Sequence, residues 1–406
     1  MLRTYEYRLY PSKKTTKILN NQLELCRHLY NNALTERKEA YRLSHISLNY
    51  KLQANELPAV KSENPEYNDI HSQVLQDVLN RLDKAFKNFF NRIKNKAKKG
   101  KKAGFPRYKS YGQYNSLTYT QSGFKLSNNY NKLSLSKIGL IKIIMHRELI
   151  GNIKTCTIKK DKVGDWFACF TCEFPDAVKK PLEEIKEQYI IGVDAGINKL
   201  AVLSNGINGV EIENPEILRK SEESIKIAQR ELSRKKRGSK NRLNAKQRMA
   251  KRQRKLANAR KDYLHKVASE IVKSGDIMVF EDLNVQGMVQ NHNLAGRISY
   301  ASWSKLVGNC IYKADDASKY VEFVNPNGTI QLCSRCGAVV RKALSERIHK
   351  CNNCGLEMDR DLNAALNIRE RYIRLVWNSV KKPVDVLTPA QIDEQVGTTK
   401  QEAPMV

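Results

Sequence analysis

The sequence predicts an α+β, multidomain protein, and three observations carry that reading. Short alternating stretches crowd residues 115–175, as in a small β-barrel or sandwich. Beyond residue 186, apolar strand-like runs ("YIIGV", "IMVF", "YVEFV") are separated by helical segments, some very rich in charge. Four cysteines with metal-ligand spacing lie near the end of that second half. The 406 residues have room for about two or three domains, enough to bury a core without metal or disulfides.

Taken in order, "LRTYEYRLYPS" alternates and stops at Pro11, which predicts a strand. A helix follows, with Leu19, Leu23, Cys26, Tyr30 and Ala33 at helical spacing. Pro58 and Pro65 mark loops in a mixed segment from 40 to 70. "SQVLQDVLNRLDKAFKNFFNRI" puts Leu75, Val78, Leu79, Leu82, Phe86, Phe89, Phe90 and Ile93 on one face of an amphipathic helix. A basic loop, "KNKAKKGKKAGFPRYKS", comes next. The stretches "KLSLSKIGLIKIIM", "TCTIKK" and "DWFACFTCEF" predict strands, and "YIIGVDAGINKLAVLSNG" predicts strand, tight turn, strand. Long basic helices fill 215–270, "GDIMVFEDLN" is an apolar strand ending in acid, "WSKLVGNCIYKADD" is helical and "YVEFVN" is a strand. The tail from 381 to 406 has little to bury and is expected to be disordered.

The net charge of +30 exceeds what solubility needs and implies a polyanionic partner. Nucleic acid is the first candidate and an anionic membrane surface the second. No apolar run approaches the ~20 residues of a spanning helix, and "MLRTYEYRLYPSKK" has no signal-peptide core. A cytosolic protein without a membrane partner is therefore expected. Nine cysteines there are not a disulfide framework. Cys333, Cys336, Cys351 and Cys354 spell C-x2-C-x14-C-x2-C, close to a zinc ribbon. Cys169 and Cys172 also spell C-x-x-C, but in a strand they face opposite sides and read as packing residues. Between Arg230 and Lys261 stand fifteen Lys or Arg and one acid, a density that favours phosphate contact over a merely solvated face. Arg234, Lys235, Lys236 and Arg237 form its densest cluster.

Three acids share one type of setting. Asp194 ends "YIIGV", Glu281 ends "IMVF", and Asp361 opens the helical run "LNAALNIRERYIRLVW". Strand ends open to a crevice, so acids there can meet without being covered. Gathered carboxylates repel, and without a cation at least one would take a proton. Hard oxygen ligands suit Mg2+ or Mn2+, and a pair of such ions can clamp both oxygens of a phosphodiester displacement. Asp361 also gains from the helix dipole. Taken singly, each acid has a plainer reading: Asp194 as a turn residue, Glu281 as a solvated strand end, Asp359 or Asp361 as a cap. His265, in "DYLHKVA", is a polar helix residue, and a two-metal site needs no histidine.

"IGVDAGINKLAVLSNG", "VFEDLNVQGM" and "CSRCG…CNNCGLEMDRDLNAALNI" occur in an order that resembles the three RuvC-type segments and zinc ribbon of the TnpB family. These proteins are encoded by bacterial and archaeal insertion sequences and are similar to compact type V CRISPR effectors. "GFPRYK", "LHKVASEIV" and "LQDVLNRLDKAFKNFF" fit as well, so the resemblance covers nearly the whole chain. It implies an RNase H-like nuclease domain over 186–380, with a zinc ribbon inserted at 329–356. It implies a β-barrel from 1–10 and 105–182, and a helical recognition domain over 11–104. It assigns the catalytic, Mg2+-binding or Mn2+-binding acids to Asp194, Glu281 and Asp361, preferring Asp361 over Asp359.

The four ribbon cysteines would hold structural Zn2+ and so fix the loop that launches Asp361; Arg335, Arg341, Lys342 and Lys350 could touch nucleic acid. The partners would be a guide RNA from the transposon end and target double-stranded DNA, in a bacterial or archaeal cytosol, with a monomer favoured. Tyr50 and Gln76 match positions lining the surface that reads a short motif beside the target. The implied activity is RNA-guided, metal-dependent DNA cleavage next to that motif. A repressor that binds without cutting is the alternative, and all three acids being present argues against it. A sugar-kinase-like ATPase fits less well, because Ile197-Asn198-Lys199 follows "GVDAG" where such folds place Gly-Thr or Gly-Ser. A transposase that joins DNA ends would need a tyrosine nucleophile in a His-containing motif, which is not apparent.

Overall fold

The computed structural model describes residues 2–95, 103–127, 129–214, 216–288, 302–343 and 346–381. The tail from 382 and residues 96–102 of the basic loop lie outside them. The chain forms two units, Met1–Asp176 and Ala177–Val406.

The first unit opens with β1 (Leu2–Tyr10), whose alternate residues Tyr5, Tyr7 and Leu9 are buried. Ser12 then caps α1 (Lys13–Ser44), its hydroxyl accepting from the Thr15 amide at 3.1 Å. All five residues expected on the inner face of α1 are buried. Two short helices follow, α2 (Tyr50–Asn55) and α3 (Leu57–Glu63), then α4 (Ser72–Lys94). Pro58 and Pro65 begin helical turns instead of marking loops, because the first helical positions need no amide donor. Helix α4 buries Val74, Leu75, Val78, Leu79 and Leu82, but Phe90 and Ile93 are 53% and 43% exposed. The apolar stripe outruns the core; beyond it Phe86 and Phe89 pack edge-on against Phe105.

Six more strands complete the unit: β2 (Ser116–Tyr119), β3 (Phe124–Leu126), β4 (Lys132–Leu135), β5 (Gly139–Ile144), β6 (Asn152–Lys160) and β7 (Trp166–Glu173). Their sheet order is β2-β6-β7-β1-β5-β4-β3, with every pairing antiparallel. The two end strands, β2 and β3, are consecutive in the chain and joined by residues 120–123 alone. So short a link forces the sheet to curl until its edges nearly meet, the barrel-like alternative of the sequence reading. Cys172 is buried and Cys169 is half-buried on the other side of β7, as expected for strand cysteines.

A buried polar knot joins α1, α2 and α4. Arg37 reaches Asp83 at 3.2 Å and Gln53 at 2.8 Å, and Asp83 also accepts from the Tyr50 amide at 3.2 Å. Burial alone would raise the Asp83 carboxyl, but hydrogen bonds from Lys87 and Arg37 outweigh it and hold the group below its ordinary range. Asp83→Ala strands the Arg37 guanidinium and is expected to cost about 3 kcal/mol by thermal or urea melting. Since the carboxyl is depressed in the folded state, its stabilisation is present at neutral pH and fades as pH falls below about 4. The gap in Tm between wild type and variant should close over that range.

The second unit is built on β8 (Ile190–Asp194), β9 (Lys199–Ser204), β10 (Gly209–Glu213), β11 (Ile277–Glu281) and β12 (Tyr320–Val324). Their order is β10-β9-β8-β11-β12. Strands β8, β11 and β12 run parallel, while β9 and β10 return antiparallel as hairpins. Helices α5 (Glu216–Ser233) and α6 (Lys240–Ser274) connect the antiparallel part to β11, and α7 (Trp303–Asp316) precedes β12. A short ribbon, β13 (Ile348–Lys350) with β14 (Glu357–Asp359), leads into α8 (Arg360–Tyr372).

Period-two alternation sorts the faces of this sheet. Ile191, Val193, Met278 and Phe280 pack with Leu264, Val267, Ala268 and Ile271 of α6 and with Trp303 and Leu306 of α7. Ile190, Ile277, Val279 and Val324 pack with Ile368 and Tyr372 of α8 and with Trp377. Gly192 lies on the α8 side, where a Cβ would sit 2.0 Å from the Ala365 carbonyl oxygen. Only glycine lets α8 approach so closely. Ahead of Leu264, Ala245 is the only buried residue of α6, so its basic two-thirds runs beyond the sheet beside α5.

Candidate active site and metal centre

The alternation that buries Ile190 and Gly192 carries on to Asp194, and the one that buries Ile277 and Val279 carries on to Glu281. Both acids therefore belong to the α8 face of neighbouring parallel strands, whose register pairs Val193 with Phe280 one residue earlier. Asp361 enters from the first turn of α8. Asp194 is 8% exposed. Burial pushes its carboxyl well above the ordinary range, the negative charges of Glu281 and Asp361 push the same way, and Arg360 opposes them. Burial also raises Glu281, against a hydrogen bond from Thr329 and the charge of Arg371. Asp361 Oδ1 accepts from Arg360 at 3.2 and 3.1 Å, while its Oδ2 has no protein hydrogen bond among the described residues. Glu281 and Asp361 thus both act electrostatically on Asp194, with charge that a cation would offset. The three acids are not drawn as tightly as the cysteines, which are the one group of three or more metal-type ligands within 4.8 Å of one another among the described residues.

Cys333 and Cys354 stand 3.6 Å apart through their sulfurs, as do Cys336 and Cys351. That is far beyond a disulfide and near the ~3.8 Å edge of a tetrahedron with metal–sulfur bonds of about 2.3 Å. Each C-x-x-C turn is built the same way. Gly337 donates to the Cys333 carbonyl and Gly355 to that of Cys351, both at 2.9 Å. Both glycines hold the left-handed conformation, φ 75° and 70°, that closes the turn. Hydrogen bonding by Asn353 and the Ala338 backbone brings the exposed Cys336 thiol down to about 6. The Leu356 backbone lowers Cys354, but burial and the other thiols push it up to about 12. Without a cation, then, Cys354 keeps its proton. The donor set fits one soft divalent ion.

The cysteine loop is bolted to the acids by residues the sequence reading passed over. Asn363, fully buried, accepts from the Ser334 amide at 3.0 Å and donates to the Leu332 carbonyl at 2.8 Å. One turn on, Asn367 donates to the carbonyls of Thr329 and Leu332 at 2.8 and 2.7 Å. The Thr329 hydroxyl in turn donates to Glu281. Two asparagines four apart in "LNAALN" were a legible signal of one polar helix face inside an apolar run; nothing local marks Thr329.

The proposed nucleic-acid contacts differ in availability. Gln76 and Arg234 to Arg237 are exposed, the latter in the turn between α5 and α6. Tyr50 is half-buried against the first core, which supports the packing role. Arg335, Arg341 and Lys350 are exposed, but Lys342 is half-buried with its Nζ 2.5 Å from His349 Nδ1. Arg242 binds the carbonyls of Leu232 and Lys235, and Arg252 that of Ser224, so both tie α6 to α5. His265 pairs with the Tyr312 hydroxyl at 2.9 Å, as a packed helix residue does. Among the described residues no helix is long and apolar enough to cross a membrane.

Residues 173–292 match a family described as "Probable transposase", residues 303–368 match "Cas12f1-like, TNB domain" and residues 1–45 match "Helix-turn-helix domain". The last spans a strand and a single long helix in this structure. A Streptomyces pristinaespiralis protein named "Putative RNA-guided DNA endonuclease" is 32% identical over 376 residues, 90% of this chain and 88% of that protein. Its Escherichia coli namesake InsQ is 29% identical over 387 residues, 90% and 91% of the two chains. A cryo-EM structure of a Cas12f1–sgRNA–target DNA complex covers 91% of this chain and 99% of that one at 15% identity, with a TM-score of 0.36; so remote a likeness carries no weight. The first relative spans nearly the whole chain at close to one residue in three, and on that ground the chain belongs to the TnpB family of insertion-sequence-encoded proteins.

Proposed function

We propose that this protein is an RNA-guided DNA endonuclease of a transposable element, using divalent metal held by Asp194, Glu281 and Asp361. The observation that carries the reading is the burial of Asp194 beside two further acids, on one face of one sheet edge. A sheet of this order, with three parallel strands and an antiparallel hairpin pair, supports an RNase H-like, RuvC-type domain over 186–380, with the zinc ribbon at 329–356. The barrel-like sheet from 1–10 and 105–182 and the helices of 11–104 would form the other two domains. The sulfur spacing supports structural Zn2+ on Cys333, Cys336, Cys351 and Cys354. The phosphate backbones of guide and target would lie along exposed basic residues, chiefly Arg234, Lys235, Lys236 and Arg237. Gln76 would face the motif beside the target.

Bound Mg2+ or Mn2+ would supply an activated water and offset charge building on the phosphodiester. The chain's own part is positional. Thr329 orients one oxygen of Glu281, and Arg360 engages one oxygen of Asp361, the other having no hydrogen bond among the described residues. The strand-end setting of Asp194 holds its carboxyl away from bulk solvent. Pairing between guide and target would select the sequence, and the protein would grip backbone and duplex shape.

The test uses protein co-purified with its RNA, which is then sequenced. Plasmids carry the matching target flanked by randomised bases. Cutting is expected only with matched target and Mg2+. A complex that binds the target and leaves it whole at every Mg2+ level would make the protein a repressor instead.

A further inference from the structure

Asp359 lies two residues before Asp361 and shares the site's negative field. Both of its oxygens are already taken. Oδ1 accepts from the amides of Asp361 and Leu362 at 2.9 and 3.1 Å, which caps α8. Oδ2 accepts from Lys199 Nζ at 2.9 Å, and the same ammonium binds Glu211 at 2.6 Å. Lys199 begins β9, the strand beside β8, and lies 160 residues away in sequence. The pair thus ties the sheet to the turn of backbone that carries Asp361.

A capping carboxylate fixes the dihedral angles of the first helical residues, and Asp361 is the second of them. Left unpaired, Asp359 would add a fourth negative charge to a cluster that already repels itself; Lys199 removes that charge without touching the other three acids. We propose that Asp359 is a positioning residue that fixes the backbone of Asp361, with Lys199 as its built-in counter-ion. The proposal rests on Asp361 being a metal ligand.

The test compares variants in the purified protein–RNA complex, reading single-turnover cleavage across a Mg2+ titration and amide exchange at residues 360–364. Asp359→Ala is expected to slow cleavage at least about tenfold, raise the half-saturating Mg2+ and speed exchange at Asp361 and Leu362. Asp359→Asn keeps a capping oxygen, so exchange stays protected and cleavage stays within about threefold of wild type. Lys199→Met impairs cleavage while Asp359 is charged, whereas Lys199→Met/Asp359→Asn cuts as Asp359→Asn does alone. An Asp359→Asn complex as inert as Asp361→Asn overturns the proposal, because Asp359 is then itself a ligand. Wild-type Mg2+ response and exchange in Asp359→Ala overturn it as well. Full cleavage by Asp361→Asn is a separate outcome: it removes the site assignment beneath the proposal.

Discussion

Asp194→Ala is expected to lower target cleavage by at least about 10³-fold while leaving RNA binding in place, because it removes one of the three carboxylates of the proposed metal site. Gel-resolved cleavage and filter binding of the same preparation read the two effects separately. Asp194→Asn should be equally inert and should also melt higher in Mg2+-free buffer. Burial and two neighbouring acids raise the Asp194 carboxyl, so the folded metal-free protein disfavours the charged form. For such a group, stability declines as pH rises above about 4, where the unfolded chain ionises freely. The amide has no such penalty, and its advantage should grow with pH until the raised value is passed. A gain of about 2–4 °C at neutral pH corresponds to roughly 1 kcal/mol in a unit of this size. Wild-type cleavage by either variant would remove Asp194 from the site.

Removing zinc is expected to stop cleavage even with Mg2+ in excess. With Zn2+ in the proposed cysteine site, binding of about 10–16 kcal/mol would fold a loop with so little core of its own. The stretch 329–334 that leads into the loop is joined to the acids by Asn363 and Asn367 on α8 and by Thr329 against Glu281. Letting it go should displace Asp361 and free Glu281 to turn. Loss of about an ångström of alignment can cost roughly 10² in rate. Cys351→Ser should therefore cut at least that much more slowly and retain less than stoichiometric zinc by elemental analysis. Chelated wild type should recover on adding Zn2+ and not on adding more Mg2+. Full-rate cleavage by zinc-free protein would show that the ribbon does not brace the site.

Much of this was legible along the chain, and what was not has identifiable causes. Strands β8, β11 and β12 and helix α7 are compact apolar runs with clear breakers, so periodicity placed them. The same periodicity carried α4 too far, since an apolar stripe marks a face but not where its partner ends; Phe90 and Ile93 are the result. Pro58 and Pro65 were misplaced because proline opens a helix as readily as it interrupts one. The C-x-x-C pairs were distinguished by the strand period around Cys169 and Cys172. For the acids, position at strand ends pointed to Asp194 and Glu281, while the choice of Asp361 over Asp359 came from family pattern. The structure adds a physical reason, since both oxygens of Asp359 are engaged elsewhere. Lys199 and Thr329 stayed hidden because neither has a local mark of its own and each meets its partner far along the chain, 160 and 48 positions away.

The central place of β1 in its seven-stranded sheet has a consequence for biosynthesis. Its two neighbours, β5 and β7, leave the ribosome about 130–170 residues later, a wait of roughly 10–30 s at ordinary elongation rates. During that interval a nascent chain carries a strand with both edges open, while helices α1 to α4 are already made. A ribosome paused before residue 166 should therefore display a protease-sensitive amino-terminal segment that becomes resistant once Trp166–Glu173 has emerged.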